Sequence, residues 1–286
     1  MNRLLLCSLF LSLVAGTTIE WPFEQKADQN ALKFEVAVGN PPQTLQLLLR
    51  DETDISSAAL DVFDSRIGGN FDFEWLPYVQ FGYFGLRRAA ADEALGFVES
   101  LVQAGDSKTL IVAYKSLNFS LAGSFVIGGQ SDLCGSEWSM AAETNYTERP
   151  DVQWALSIDE LTVDVYTLDS PGQAVFALDD AGLKLPKPIY QKVLSALNAT
   201  DADILPCNIQ TEVVFTINGV DLRLQPADYL DRSEEAATGL CHFQGYRING
   251  NAGFVLPNTL LRRHCLKYDY EQKQVGFAAL TTRAFS

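Results

Sequence analysis

FEVAVGNPPQTLQLLL, residues 34–49, decides how this chain is read. Two apolar runs flank Gly39-Asn40-Pro41-Pro42, and residues of those types close one strand and open another. The second run leads directly into Arg50-Asp51-Glu52-Thr53-Asp54, so a buried-looking strand delivers a charged cluster. The same alternation of short apolar runs and turn residues continues along the chain, in LIVAYKSL (110–117), GSFVIGG (123–129), LTVDVYTL (161–168), QAVFAL (173–178), EVVFTING (212–219), GFVL (253–256) and KQVGFAAL (273–280). Richness in Val, Ile and Phe marks these as strands. Helical patterns are few. In ADEALGFVESLVQAG (91–105), Leu95, Val98, Leu101 and Val102 share one face and Gly105 is the stop. A second, IYQKVLSALNA (189–199), follows Pro188. The fold class is therefore all-β.

Of the 286 residues, 47% are hydrophobic and 20% charged, the balance of a folded globule. MNRLLLCSLFLSLVAG (1–16) places Arg3 before an apolar run from Leu4 to Val14 and ends in small residues. That is the pattern of a secretory signal peptide, too short to span a bilayer as a helix. No later apolar run approaches membrane length, so a soluble protein is expected, secreted or held in the lumen of the secretory or endolysosomal pathway. The formal charge is −15, and loss of Arg3 with the signal makes it −16. Such a surface repels nucleic acid and anionic lipid, so neither is an expected partner, and a monomer is expected.

Cys7 leaves with the signal, and Cys134, Cys207, Cys241 and Cys265 remain. Four cysteines in an oxidising compartment read as two disulfides, with three pairings that spacing does not choose between. No CxxC pair occurs and His242 and His264 stand apart, so neither a metal site nor a cofactor is expected. Asn118-Phe-Ser, Asn145-Tyr-Thr and Asn198-Ala-Thr are glycosylation sequons. The polar stretch TNYTERPDVQ (144–153) suggests a boundary near residue 150, giving a signal at 1–16 and lobes at 17–150 and 151–286.

Residues 34–49 resemble the opening of the pepsin-like aspartic proteases (peptidase A1), where a strand, a G-T-P-x-Q turn and a second strand lead into the catalytic D-T-G-S. Further stretches are similar to that family in the same order: SFVIGGQSD (124–132), VQWALSIDELTV (152–163), EVVFTINGVDLRLQPADYL (212–230) and GFVLPNTLLRRHCLKYDYEQKQVGFA (253–278). Together they cover nearly the whole mature chain. The resemblance implies a bilobal fold of two related β lobes with a substrate cleft between them. An internal echo agrees with such a duplication, since LLLRDETD (47–54) and VFALDDAG (175–182) each run from apolar into acidic residues.

The family's chemistry needs two aspartates, one per lobe, that share a proton; one activates a water while the other donates to the scissile carbonyl. Counting without gaps from Gly39 puts Arg50 at the first aspartate, and D-T-G becomes Arg50-Asp51-Glu52. QAVFALDDAGLKLP (173–186), anchored by Gln173 and Pro186, puts Ala177 at the second, and D-T-G becomes Ala177-Leu178-Asp179. A guanidinium accepts no proton and a methyl group has no acid–base chemistry. A slip of one residue brings Asp51 into place only by turning the strand over, and Asp179 or Asp180 only by breaking the match to Pro186.

The flap tells the same way. VQFGYFGLRR (79–88) resembles the family's D-G-I-L-G-L-G strand, which leaves only residues 51–80 for a long hairpin whose tyrosine closes over substrate. A shortened N-terminal lobe lacking most of that hairpin is expected. If Gln80-Phe81-Gly82 is instead a flap remnant, Phe81 has lost the hydroxyl. The short run between signal and first strand leaves no room for an inhibitory propeptide. By the same resemblance Cys207 pairs with Cys241, as in the family's last disulfide, which leaves Cys134 with Cys265. The expected function is that of a secreted, catalytically inactive homologue that binds a protein or peptide ligand. The alternative is an acid-active endopeptidase working through Asp51 and Asp179.

Overall fold

The computed structural model describes residues 18–25, 33–38, 43–50, 73–76, 79–86, 88–89, 97–117, 120–145, 153–168, 172–178, 182–199, 203–233, 238–248 and 253–281. Strands come first along the chain: β1 (Ile19–Gln25), β2 (Lys33–Val38), β3 (Gln43–Arg50), β4 (Phe73–Leu76) and β5 (Val79–Gly85). Helix α1 (Phe97–Ala104) precedes β6 (Thr109–Leu117) and β7 (Ser120–Ile127). The stretch 34–49 forms the two strands its pattern predicts, with β2 antiparallel to β3 from Val38↔Gln43 to Lys33↔Leu48.

Val98, Leu101 and Val102 of α1 are buried, as their spacing requires, while Leu95 lies outside the described residues. Gly105 ends the helix by donating its N–H to the carbonyls of Leu101 and Val102. A Cβ there would stand 3.1 Å from the Gly128 Cα, so glycine is needed for close approach as well as for termination. Lys108 Nζ donates to two carbonyls at the helix end, those of Gln103 and Gly105.

Next come β8 (Ser139–Ala142), β9 (Leu156–Ser157), β10 (Glu160–Val163), β11 (Tyr166–Thr167), β12 (Gln173–Ala177) and β13 (Leu183–Pro186). Helix α2 (Lys187–Ala196) is followed by β14 (Ile204–Pro206), β15 (Val213–Ile217), β16 (Val220–Leu224), the short α3 (Pro226–Tyr229) and β17 (Leu230–Asp231). β18 (Leu240–Phe243), β19 (Gly245–Ile248), β20 (Phe254–Pro257), β21 (His264–Asp269) and β22 (Gln274–Ala279) complete the series. Helix α2 begins two residues before the expected Ile189, because Pro186 serves as N-cap and Pro188 sits in the first turn, where a missing N–H costs nothing.

Contacts divide the chain into two units, residues 1–138 with 261–286, and residues 139–260. The grouping differs from a single cut at residue 150, because β21, paired with its neighbour β22, also pairs with β6, Leu266 opposite Val112. In the first unit the strands run β4-β5-β3-β2-β1-β7-β6-β21-β22. The second unit holds three sheets, ordered β11-β10-β15-β16, β19-β13-β20-β12-β9 and β14-β18-β17. The β15–β16 turn is Asn218-Gly219 with φ of 49° and 74°, the left-handed pair a two-residue hairpin demands. The mostly β architecture agrees with the expected class.

Cys134 is bonded to Cys265 within the first unit and Cys207 to Cys241 within the second, the pairing the family resemblance implies. Among the described residues no helix is long and apolar enough to cross a membrane.

Candidate functional site

Two parallel strand pairs carry the positions at issue. In the first unit β3 lies parallel to β5, with Gln46 opposite Phe81 and the terminal Arg50 opposite Gly85. In the second unit β12 lies parallel to β20, with Ala174 opposite Phe254 and the terminal Ala177 opposite Pro257. Each unit thus repeats one device: an apolar strand ends beside the end of a parallel neighbour, Tyr83-Phe84-Gly85 in one case and Val255-Leu256-Pro257 in the other. Arg50 and Ala177 hold the same register position in the two devices.

The surroundings explain why these strand ends are fixed. β12 is buried from Ala174 to Ala177, sandwiched between β20 and the antiparallel β9. Its root is held by Gln173, whose Nε2 donates to Thr144 Oγ1 at 3.0 Å and to the Asn145 carbonyl at 2.7 Å. Trp154, buried and left-handed at φ 62°, donates its N–H to Glu143 Oε1 at 2.6 Å. Just past the strand, the Leu178 carbonyl accepts a bond from Asn258 Nδ2 at 3.1 Å, and both residues are fully buried. The residue after Ala177 is therefore tied to the residue after Pro257. Asn258→Ala should cost about 1–3 kcal/mol, because it strands a buried carbonyl without its partner. Urea unfolding measures it, and an unchanged midpoint would show that the bond adds nothing.

In the first unit the corresponding anchor is Tyr270, whose hydroxyl donates to the Leu86 carbonyl at 2.9 Å, immediately after Gly85. Burial pushes this phenol well above the ordinary tyrosine range; the Glu99 carboxylate acts in the same direction and Arg88 opposes it. Glu99, buried on α1, also accepts the Ala89 N–H at 2.6 Å. A buried polar cluster thus clamps the chain as it leaves β5.

Chemically, Ala177 is 7% exposed and presents only a methyl group. Arg50 is placed by its backbone register, and a guanidinium at that point can donate hydrogen bonds but take up no proton. Asp51, Asp179 and Asp180 lie outside the described residues, as does Asn118. Phe81 is in β5, opposite Glu74 of β4 and Gln46 of β3, so it belongs to the strand beside β3. Asn145 and Asn198 are exposed. His242, in β18 of the three-stranded sheet, stands 3.6 Å from Asp203 and belongs to neither strand pair. Among the described residues no three His, Cys, Asp or Glu side chains converge as metal ligands would. The anchors Asn258 and Tyr270 escaped the reading of the sequence. For Asn258 the available signal was a polar side chain set directly against an apolar run, in VLPN; KYDY offers none for Tyr270.

The profile described as Eukaryotic aspartyl protease matches residues 85–280. That match starts at Gly85, so Arg50 precedes it and Ala177 falls inside it. A protein named as a probable aspartic-type endopeptidase from Trichophyton verrucosum is 27% identical over 136 residues, covering 44% of this chain and 26% of its own. Pepsin A from Rhinolophus ferrumequinum is 26% identical over 136 residues, covering 44% of this chain and 35% of its own. Gastricsin from Homo sapiens is 28% identical over 218 residues, covering 70% of this chain and 55% of its own. The chain thus spans between about a quarter and just over half the length of these relatives. With a matched region that takes in well over half of its residues, the chain belongs to the eukaryotic aspartyl protease family.

Proposed function

We propose that this protein is a secreted, catalytically inactive member of the aspartyl protease family that acts by binding a protein or peptide ligand. The observation that carries the reading is the shared register of Arg50 and Ala177, each at the end of its strand and each beside the end of a parallel partner. Gap-free counting against the family motif assigns the two catalytic aspartates to these same positions. Neither side chain can act as the base towards water or as the acid towards a carbonyl, and each such role is worth about 10²–10⁴ in rate. The pairing of β5 with β3 supports the assignment of VQFGYFG to the strand that follows the flap in the family, which leaves a short segment for a flap.

The test is an assay of the purified protein on a denatured protein substrate between about pH 2 and 5, where a carboxylate dyad would be singly protonated, with and without a pepstatin-type inhibitor. No inhibitor-sensitive cleavage is expected. Cleavage that the inhibitor blocks and that Asp51→Ala abolishes would replace this reading with that of an acid endopeptidase. Ligand binding is addressed separately, by isolating what co-purifies with the protein from its native secretion.

A further inference from the structure

Some asparagine carboxamides in the second unit are used to hold the fold together. Asn258 is fully buried and donates to the Leu178 carbonyl. Asn218 donates to Ser139 Oγ at 3.2 Å and to the Met140 carbonyl at 3.0 Å, fastening the β15–β16 turn to β8. Neither is followed two residues later by Ser or Thr, since the sequences are Asn258-Thr-Leu and Asn218-Gly-Val.

Asn145 and Asn198 are not used in that way. Both are exposed, and no described atom accepts a hydrogen bond from either carboxamide. Both open sequons, Asn145-Tyr146-Thr147 and Asn198-Ala199-Thr200. Their backbones are nonetheless fixed. The Asn145 carbonyl accepts from Gln173 Nε2, and the Asn198 N–H donates to the Ser195 carbonyl just beyond α2. Asn198 also sits at φ 58°, a left-handed position that asparagine tolerates better than most residues. In each case the main chain is held by the fold while the amide is left facing solvent.

We propose that Asn145 and Asn198 carry N-linked oligosaccharides, transferred in the secretory lumen from a diphospholipid-linked oligosaccharide. The inference rests on the secreted reading above. The Asn Nδ2 forms a bond to the anomeric carbon of the first sugar, and that carbon's bond to the phosphate oxygen breaks. The diphospholipid leaves with the electron pair, and the Nδ2 proton passes to a base of the transferring enzyme. Asn145 is joined to the root of β12 through Gln173, and four strand steps of about 3.3 Å separate that residue from Ala177. The first sugar is therefore attached at the far end of the strand from the candidate site.

The test expresses the full chain in eukaryotic cells and treats the product recovered from the medium with a glycan-releasing amidase. One step of the mobility shift is expected to be lost in Asn145→Gln and another in Asn198→Gln. Thr147→Ala and Thr200→Ala should reproduce those losses without altering either asparagine or its backbone. The amidase should convert both residues to aspartate, which peptide mass spectrometry reads directly. Protein recovered from the medium with unmodified Asn145 and Asn198 would overturn the proposal while leaving the secreted reading intact. Protein found only in the cytosol would overturn the secreted reading, and the proposal with it.

Discussion

Replacing Cys134 and Cys265 together by serine is expected to lower stability by about 5 kcal/mol, a large part of the 5–15 kcal/mol typical of a folded domain. The size follows from the loop the bond closes. The two cysteines lie 131 residues apart, against 34 for Cys207 and Cys241. Closure entropy grows only as the logarithm of loop length, so the corresponding loss for Cys207 and Cys241 is about 4 kcal/mol. Burial adds to both losses, since Cys207 and Cys241 are buried as Cys265 is. Cys265 is fully buried against Ile111, Ala113, Val126 and Ala278, so a serine hydroxyl there must be desolvated among apolar side chains. Urea unfolding of the two double variants provides the comparison. A Cys134/Cys265 variant as stable as the parent would mean that the bond constrains nothing the rest of the fold does not already hold.

Phe254→Ala is expected to cost about 3–5 kcal/mol, the range for deleting a buried aromatic ring. Phe254 opens β20, lies opposite Ala174 of β12, and meets Phe215 edge-on with centroids 6.1 Å apart. It is 2% exposed, and a Cβ on Gly172 would come within 2.5 Å of its ring, so no neighbouring side chain stands ready to fill the space. The ring therefore supports the strand pair that ends in Ala177 and Pro257. Phe254→Leu keeps much of the volume and should cost less than about 1.5 kcal/mol. Calorimetry on both variants separates the cavity from a general intolerance of change, and equal losses would contradict the packing argument.

The strands were legible because their signals are local. Gly39-Asn40-Pro41-Pro42 and Asn218-Gly219 announce turns by residue type, and the flanking Val, Ile and Phe residues supply the pleated surfaces. Which strand lies beside which was not legible, since β3–β5, β12–β20 and β6–β21 join residues far apart in sequence and an apolar run names no partner. For the same reason the placing of residues 261–286 with the first unit could not be read from composition near residue 150. Counting from Gly39 and from Gln173 singled out Arg50 and Ala177, but only the pairing supplied the strand ends beside them, Gly85 and Pro257. The disulfide partners came from the family resemblance, because spacing alone leaves three choices.

The return of β21 and β22 to the first unit has a consequence for the order of assembly. Residues 139–260 are contiguous and hold their own disulfide, so both cysteines of that bond have been synthesised by the time residue 260 emerges. The region before it is in a different position. β6 has its neighbour β7 at once but must wait for β21, made more than a hundred residues later, to cover its other edge. Until then β6 presents an unpaired row of backbone donors and acceptors, and Cys134 remains a free thiol. The disulfide of the second-made part can thus close first, and that of the first-made part closes last.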